Sequence, residues 1–385
     1  MWFRHNRVLL GKILLLLVIL LVVGLTSLGC VKGLQPIGWS GGAESGGTLF
    51  VGSKEGRLVA VNIADDSRQW SEPLRASTPA GGFGCLPAGG GGCAGAPAGV
   101  AIYGTPAVSG DLVYIGGYNG KIYAFNSSSL VTRWVYPREG NLQPIVGGLV
   151  VAQGKVYFSC SDGRVYALDA ATGDRQWQFE NGDKIWSTPA IDGDTLFIGS
   201  FDNKLYALGA TDGSLKWKFK TGGAIVSTPL VHDNTVYIGS FDRYLYAVDA
   251  IDGSLRWKFI GENWFWAKPV AYNNTVYAGC LDGKVYALDV RNGAKVAEFN
   301  LESSISASPV MVNSSIIFAT QKGVIYTLDT GSNELKRLAD IEEEVYGPLC
   351  VSGGVVYIHT QDLTLHRVNA NTGAILGHIS LKSKE

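Results

Sequence analysis

Residues 187–220 read STPAIDGDTLFIGSFDNKLYALGATDGSLKWKFK, and this stretch decides the fold. Four short runs, 187–191, 195–200, 204–208 and 214–220, are built on alternating aromatic and aliphatic residues. The pairs Asp192-Gly193, Asp202-Asn203 and Asp212-Gly213 separate them. Such runs bounded by Asp, Asn and Gly pairs are the pattern of consecutive antiparallel hairpins. The stretch therefore predicts a four-stranded meander, with strands lettered A to D in chain order.

The unit recurs. The residue that closes its second strand falls at Ser53, Gly117, Cys160, Ser200, Ser240, Cys280, Thr320 and Thr360. The last six are 40 residues apart, Gly117 and Cys160 are 43 apart, and Ser53 and Gly117 are 64 apart. The longest interval is one repeat carrying a 24-residue insertion, at about 76–99. One small sheet cannot bury both its faces, whereas sheets stacked around an axis bury them against each other. Eight register marks predict an all-β, eight-bladed β-propeller of four-stranded antiparallel blades over residues 31–385. Composition agrees. Of 385 residues, 46% are hydrophobic and 51 are Gly, which supplies core and tight turns. The formal charge of −1 leaves no basic footprint for nucleic acid.

Residues 1–30 read as a targeting segment, a secretory signal or membrane anchor. Arg4, Arg7 and Lys12 precede an apolar run over 13–28. Cys30 follows Gly29, as in a lipoprotein signal, although Ser27 and Leu28 depart from that pattern. Lipidated Cys30, an uncleaved anchor and a plain signal remain alternatives. Each places the propeller outside the cytoplasm and the first two tie it to a membrane, as in a bacterial lipoprotein. Cys85 and Cys93 lie in the Gly-rich insertion, close enough in sequence for a disulfide to close the loop without strain. The insertion follows strand D of blade 1 and is expected to form a flap. Cys160, Cys280 and Cys350 are expected as buried thiols.

Residues 167–177, ALDAATGDRQW, carry the pattern AxDxxTGxxxW, and 247–257 repeat it with Asp252 in place of the Thr. This resembles the repeat of the pyrroloquinoline-quinone (PQQ)-type propellers over residues 34–380. The WD40 type is disfavoured because no Trp-Asp dipeptide occurs. The resemblance implies that Trp70, Trp134, Trp177, Trp217 and Trp257, read as one column on strand D, pack between blades. Blades 6 to 8 place Ala297, Arg337 and Gly377 there, so looser packing is expected. The ring is expected to close where residues 34–39, as strand A of blade 1, meet blade 8.

In a meander, the D-to-A connections and the B-to-C turns share one rim, the top. The axial funnel beneath it is the default place for a ligand. Three residues before the strand-A Pro, or its equivalent, stand Trp39, Tyr103, Val146, Trp186, Val226, Trp266, Ser306 and Val345. Trp264 flanks Trp266, and Tyr346 adjoins Val345. This column reads either as packing between blades or as an aromatic mouth for a planar cofactor, a sugar or a partner loop. The B-to-C turns carry Glu55, Asn119, Asp162, Asp202, Asp242, Asp282, Lys322 and Asp362. Asp is common in such turns for backbone reasons; the alternative is a weak cation site.

Three function classes follow. Quinoprotein dehydrogenases of this repeat type hold PQQ with calcium and typically use adjacent Cys residues, and no Cys-Cys dipeptide occurs here. A ligand- or polysaccharide-binding propeller would draw on the aromatic column. The favoured class is a non-catalytic envelope scaffold similar to the BamB lipoproteins, with no cofactor, no catalytic residue and no metal, binding a protein partner or small ligand at the top face.

Overall fold

The computed structural model describes residues 40–53, 55–74 and 100–382. The predicted anchor with Cys30, Trp39, and the insertion with Cys85 and Cys93 lie outside the described residues.

Thirty-two strands among the described residues form eight antiparallel sheets of four consecutive strands each. The blades span residues 42–70, 107–136, 150–180, 190–220, 230–260, 270–300, 310–340 and 350–380. In blade 4 the strands are Ala190–Asp192 (A), Thr195–Gly199 (B), Lys204–Gly209 (C) and Leu215–Lys220 (D). Strand A is shorter than the predicted 187–191. Ser187 and Thr188 bond between blades instead: Ser187 Oγ donates to Ser227 O at 2.8 Å, and Thr188 Oγ1 accepts from Gly148 N at 2.7 Å. Pro189 has no N–H to offer a ladder.

The core is divided into eight apolar clusters, one at each boundary between neighbouring blades. Strand B shows why. Leu196, Phe197 and Ile198 are all buried, because neighbouring blades cover both faces of the sheet. A strand covered on both sides reads as a continuous apolar run.

The AxDxxTGxxxW motif works as a clasp between blades. Asp169 Oδ1 accepts the N–H groups of Ala171 and Thr172, and this holds the turn from C to D. Gly173 in that turn has φ of 75°, and a Cβ there would lie 2.6 Å from the Trp134 ring. Trp134 of blade 2 thus rests on the Gly173 turn of blade 3 and donates its indole N–H to Ala170 O at 3.0 Å. The same bond joins Trp177 to Ala210, Trp217 to Ala250 and Trp257 to Val290. Opposite each indole stands an alanine, as in the pair Ala207 and Trp217, and its small side chain leaves room for the ring.

Two blades depart from the predicted Trp column. In blades 2 to 6 and 8 a bulge midway along strands C and D sets the register. Blade 1 pairs Val59 with Trp70 without a bulge, so Gln69 takes the column position and bonds Ser129 O of blade 2 at 2.9 Å. Trp70 faces the other way and donates to Leu381 O of blade 8. In blade 7 the bulge falls between Ile325 and Tyr326, and Leu338 rather than Arg337 reaches the Gly373 turn of blade 8. Arg337 instead pairs with Asp340 at the surface.

The inner strand of blade 1 is Gly42–Ser45, downstream of the predicted 34–39. It belongs to a sheet made wholly of residues 42–70, and blade 8 completes its own sheet with Ile375–Ser380. The ring closes through lateral contacts. Arg68 Nη1 donates to Ser380 O at 2.7 Å, Arg367 pairs with Asp66 at 2.5 Å, and His359 Nδ1 lies 2.9 Å from Ser40 O. Leu49, Val59, Tyr357 and Leu365 form the apolar cluster of this seam.

Candidate binding face

The acidic turns come first, because they could be mistaken for ligands. Asp202 Oδ1 accepts the Lys204 N–H at 3.1 Å, and Oδ2 accepts the Tyr206 hydroxyl at 2.5 Å. Asp162, Asp242 and Asp282 repeat both bonds, with Tyr166, Tyr246 and Tyr286 as the phenols. In blade 2 Asn119 Nδ2 donates to Tyr123 in the same place. In blades 2 to 6 the column thus ties the B-to-C turn to the strand-C tyrosine. Burial first, and the neighbouring carboxylate second, raise these four phenols above the usual tyrosine range. Both oxygens of each aspartate are already bonded. Among the described residues no group of three His, Cys, Asp or Glu side chains is placed to hold a metal ion. In these turns the carboxylates serve the backbone and the strand-C phenols.

The aromatic side chains tell a different story. Aligned by the 40-residue repeat, Tyr346 rather than Val345 shares the position of Trp186 and Trp266. Pro348 misled the count, since Leu349 occupies the place of Pro189 and Pro309. Val345 is a fully buried core residue beside Ile341 and Leu349. The described column is Tyr103, Val146, Trp186, Val226, Trp266, Ser306 and Tyr346.

Blades 4 to 6 turn part of this column into a continuous surface. Phe201 and Phe241, each the residue before the turn aspartate, supply the missing links. The Trp186 ring meets Phe201 edge-on at 4.9 Å, and Phe201 meets Phe241 at 6.4 Å. Phe241 stacks on Trp264 at 4.4 Å and on Trp266 at 5.5 Å. Trp186 Nε1 donates to Ser161 Oγ of blade 3, fixing the indole at the rim. The Lys184 ammonium lies 5.8 Å from the Trp186 ring and 5.3 Å from Phe201. Trp264 is 40% exposed, an unusual state for an indole already stacked on a phenylalanine. The result is an aromatic arc on the top rim, with an exposed ring at one end and a cation at the other.

The remaining candidates stand apart. Tyr103 contacts Tyr118 edge-on at 5.4 Å in blade 2, and the Tyr346 hydroxyl donates to Glu344. Sequence reading missed Phe201 and Phe241, although Phe-Asp at two successive B-to-C turns was there to be seen. Cys160 and Cys280 are buried free thiols that donate to Gln143 O and Asn263 O, while Cys350 is half-buried.

A family model described as the β-propeller of the beta-alanine-activating enzyme matches residues 147–384, more than half of the chain. A second, described as outer membrane protein assembly factor BamB, matches residues 31–184. Among solved structures, BamB from Moraxella catarrhalis superposes with a TM-score of 0.64 at 20% identity, over 83% of this chain and 91% of that one. The computationally designed Ika8 protein also superposes with a TM-score of 0.64, at 17% identity, over 72% of this chain and 86% of the other. At such identities the likeness is one of fold. Among curated proteins, the lanthanide-dependent methanol dehydrogenase of Methylacidiphilum fumariolicum (strain SolV) is 28% identical over 112 residues. That match spans 25% of this chain and only 18% of the dehydrogenase.

Proposed function

Because the chain belongs to the PQQ-like β-propeller repeat family, with the propeller model of the beta-alanine-activating enzyme matched over residues 147–384, we propose that it is a non-catalytic scaffold that binds protein partners through its top face. The observation that carries this reading is the aromatic arc of Trp186, Phe201, Phe241, Trp266 and Trp264. Aromatic rings held in place by packing lose little conformational freedom on binding and dominate the energetics of protein interfaces. The likeness to BamB in fold and family model supports a partner that is itself a protein. The same likeness, with the signal-like residues 1–30, supports work outside the cytoplasm at a membrane. The bonded turn carboxylates speak against quinone chemistry and so for the scaffold.

A photocrosslinking side chain in place of Trp264 tests the reading in cells. Discrete protein adducts that disappear with Phe241→Ala are expected. Dye reduction by the purified protein after addition of PQQ and calcium, with no adducts in cells, overturns it.

A further inference from the structure

The inner strands converge on the axis, and one position there recurs in each blade, two residues beyond the aromatic column and so one step deeper into the funnel. Its occupants meet from blade to blade. A side chain at Gly41 would meet Thr105 and Pro348. Gly148 donates its N–H to Thr188 Oγ1 at 2.7 Å, and Lys268 donates its backbone N–H to Ser308 Oγ at 3.1 Å. Blade 5 adds Thr228. Glycine, proline and hydroxyl residues thus make up this ring, and only Lys268 of blade 6 brings a charge to it.

The Lys268 side chain is exposed to water, yet the protein around it is dense enough for desolvation to lower its pKa. The converging inner strands account for both facts, since they surround the side chain without sealing it from water. No described residue bonds or pairs with its ammonium, and no carboxylate offsets the desolvation. The hydroxyl oxygens of Thr188 and Ser308 already accept backbone N–H groups, so their hydrogens are left to donate. A ring that carries an unpaired cation and hydroxyl donors, with no acidic residue at its level, is complementary to negative oxygen.

We propose that this ring binds a carboxylate or a similar oxyanion, with Lys268 as its counter-charge and Ser308 as a neighbouring donor. The oxygen comes either from a free small anion or from an acidic side chain on a loop inserted by a partner. The site lies below the aromatic arc and depends on none of its rings.

Competitive labelling with acetic anhydride, read by peptide mass spectrometry on the full chain, tests it. Malonate, inorganic phosphate and a short Asp-containing peptide are the probes, and exposed Lys295 is the internal reference. Saturable slowing of Lys268 labelling by at least fivefold, with Lys295 unchanged, is expected. Slowing by malonate or phosphate identifies a free anion as sufficient. Slowing by the peptide alone identifies a side-chain carboxylate. Ser308→Ala should weaken the protection several-fold, and Lys268→Met should abolish any rise in Tm that the same probe produces. Trp264→Ala should leave the protection intact, which separates this site from the aromatic face. Labelling of Lys268 that none of the three probes slows overturns the proposal.

Discussion

The indole N–H of Trp177 in blade 3 donates to the carbonyl of Ala210 in blade 4 at 3.0 Å, and the ring lies against the turn at Gly213. A Cβ on Gly213 would stand 2.6 Å from Trp177 Cε3, and its φ of 74° suits glycine. The Trp and the Gly are therefore one device, split between two repeats. Trp177→Ala should cost about 3–5 kcal/mol, the usual range for emptying a buried aromatic site. Gly213→Ala should also destabilise, and less so once Trp177 is Ala, because the steric part of its cost is gone. Denaturant midpoints for the two single variants and the double variant check this, and strict additivity would contradict the clasp.

The tyrosine–aspartate ties make stability depend on alkaline pH. In the folded chain the Tyr206 phenol is raised above its ordinary value by burial and then by Asp202. The unfolded phenol titrates near ~10. As pH rises, the unfolded state loses this proton first, so the contribution is complete below about pH 10 and fades as pH climbs toward the folded value. Urea midpoints should fall above pH 10 and fall less steeply in Tyr206→Phe. At pH 8 that variant should lose about 0.5–1.5 kcal/mol, the net worth of one hydrogen bond.

Cys160 and Cys280 should behave as reporters of opening. Burial pushes the Cys280 thiol up to about 12 and Cys160 well above the usual thiol range. Neither side chain reaches solvent. Reaction with a thiol-specific disulfide reagent at pH 8 should be undetectable in the native protein and quantitative in denaturant. Fast native labelling at either position would show that its blade boundary opens locally.

Trp70 tests the shifted register of blade 1. Its indole bonds to Leu381 O, so Trp70→Ala should loosen the boundary of blades 8 and 1. Hydrogen exchange should quicken in Ile375–Ser380 and remain unchanged in Lys121–Asn126 of blade 2. The opposite pattern would return Trp70 to the column of Trp134.

Much of this was legible in the sequence. Forty-residue spacing and turn chemistry were enough for eight blades of four strands, because both are local and repeated. What escaped was set by register. The missing bulge in blade 1 moves Trp70 to the opposite face, and spacing alone does not reveal a bulge. Pro348 was read as the partner of Pro189, which put Val345 where Tyr346 belongs. The inner strand of blade 1 was placed too early because Gly42–Ser45 carries neither proline nor an apolar pair. Two of the five rings of the aromatic arc, Phe201 and Phe241, come from B-to-C turns, where attention went to the aspartates. The Lys268 ring was missed because only the closed circle brings residues 40 apart into one level.

Every blade is a run of consecutive strands, and the first and last share no ladder. No boundary in the ring is therefore topologically privileged. Cutting the chain at another D-to-A connection and splicing blade 8 to blade 1 would preserve every strand pairing and only move the break. Whole blades can also be gained or lost by duplication or deletion of a 40-residue segment without breaking a sheet. What such an event must respect is lateral: a repeat placed among blades 2 to 6 has to match the boundaries there, where the indole of one blade meets the glycine-bearing turn of the next.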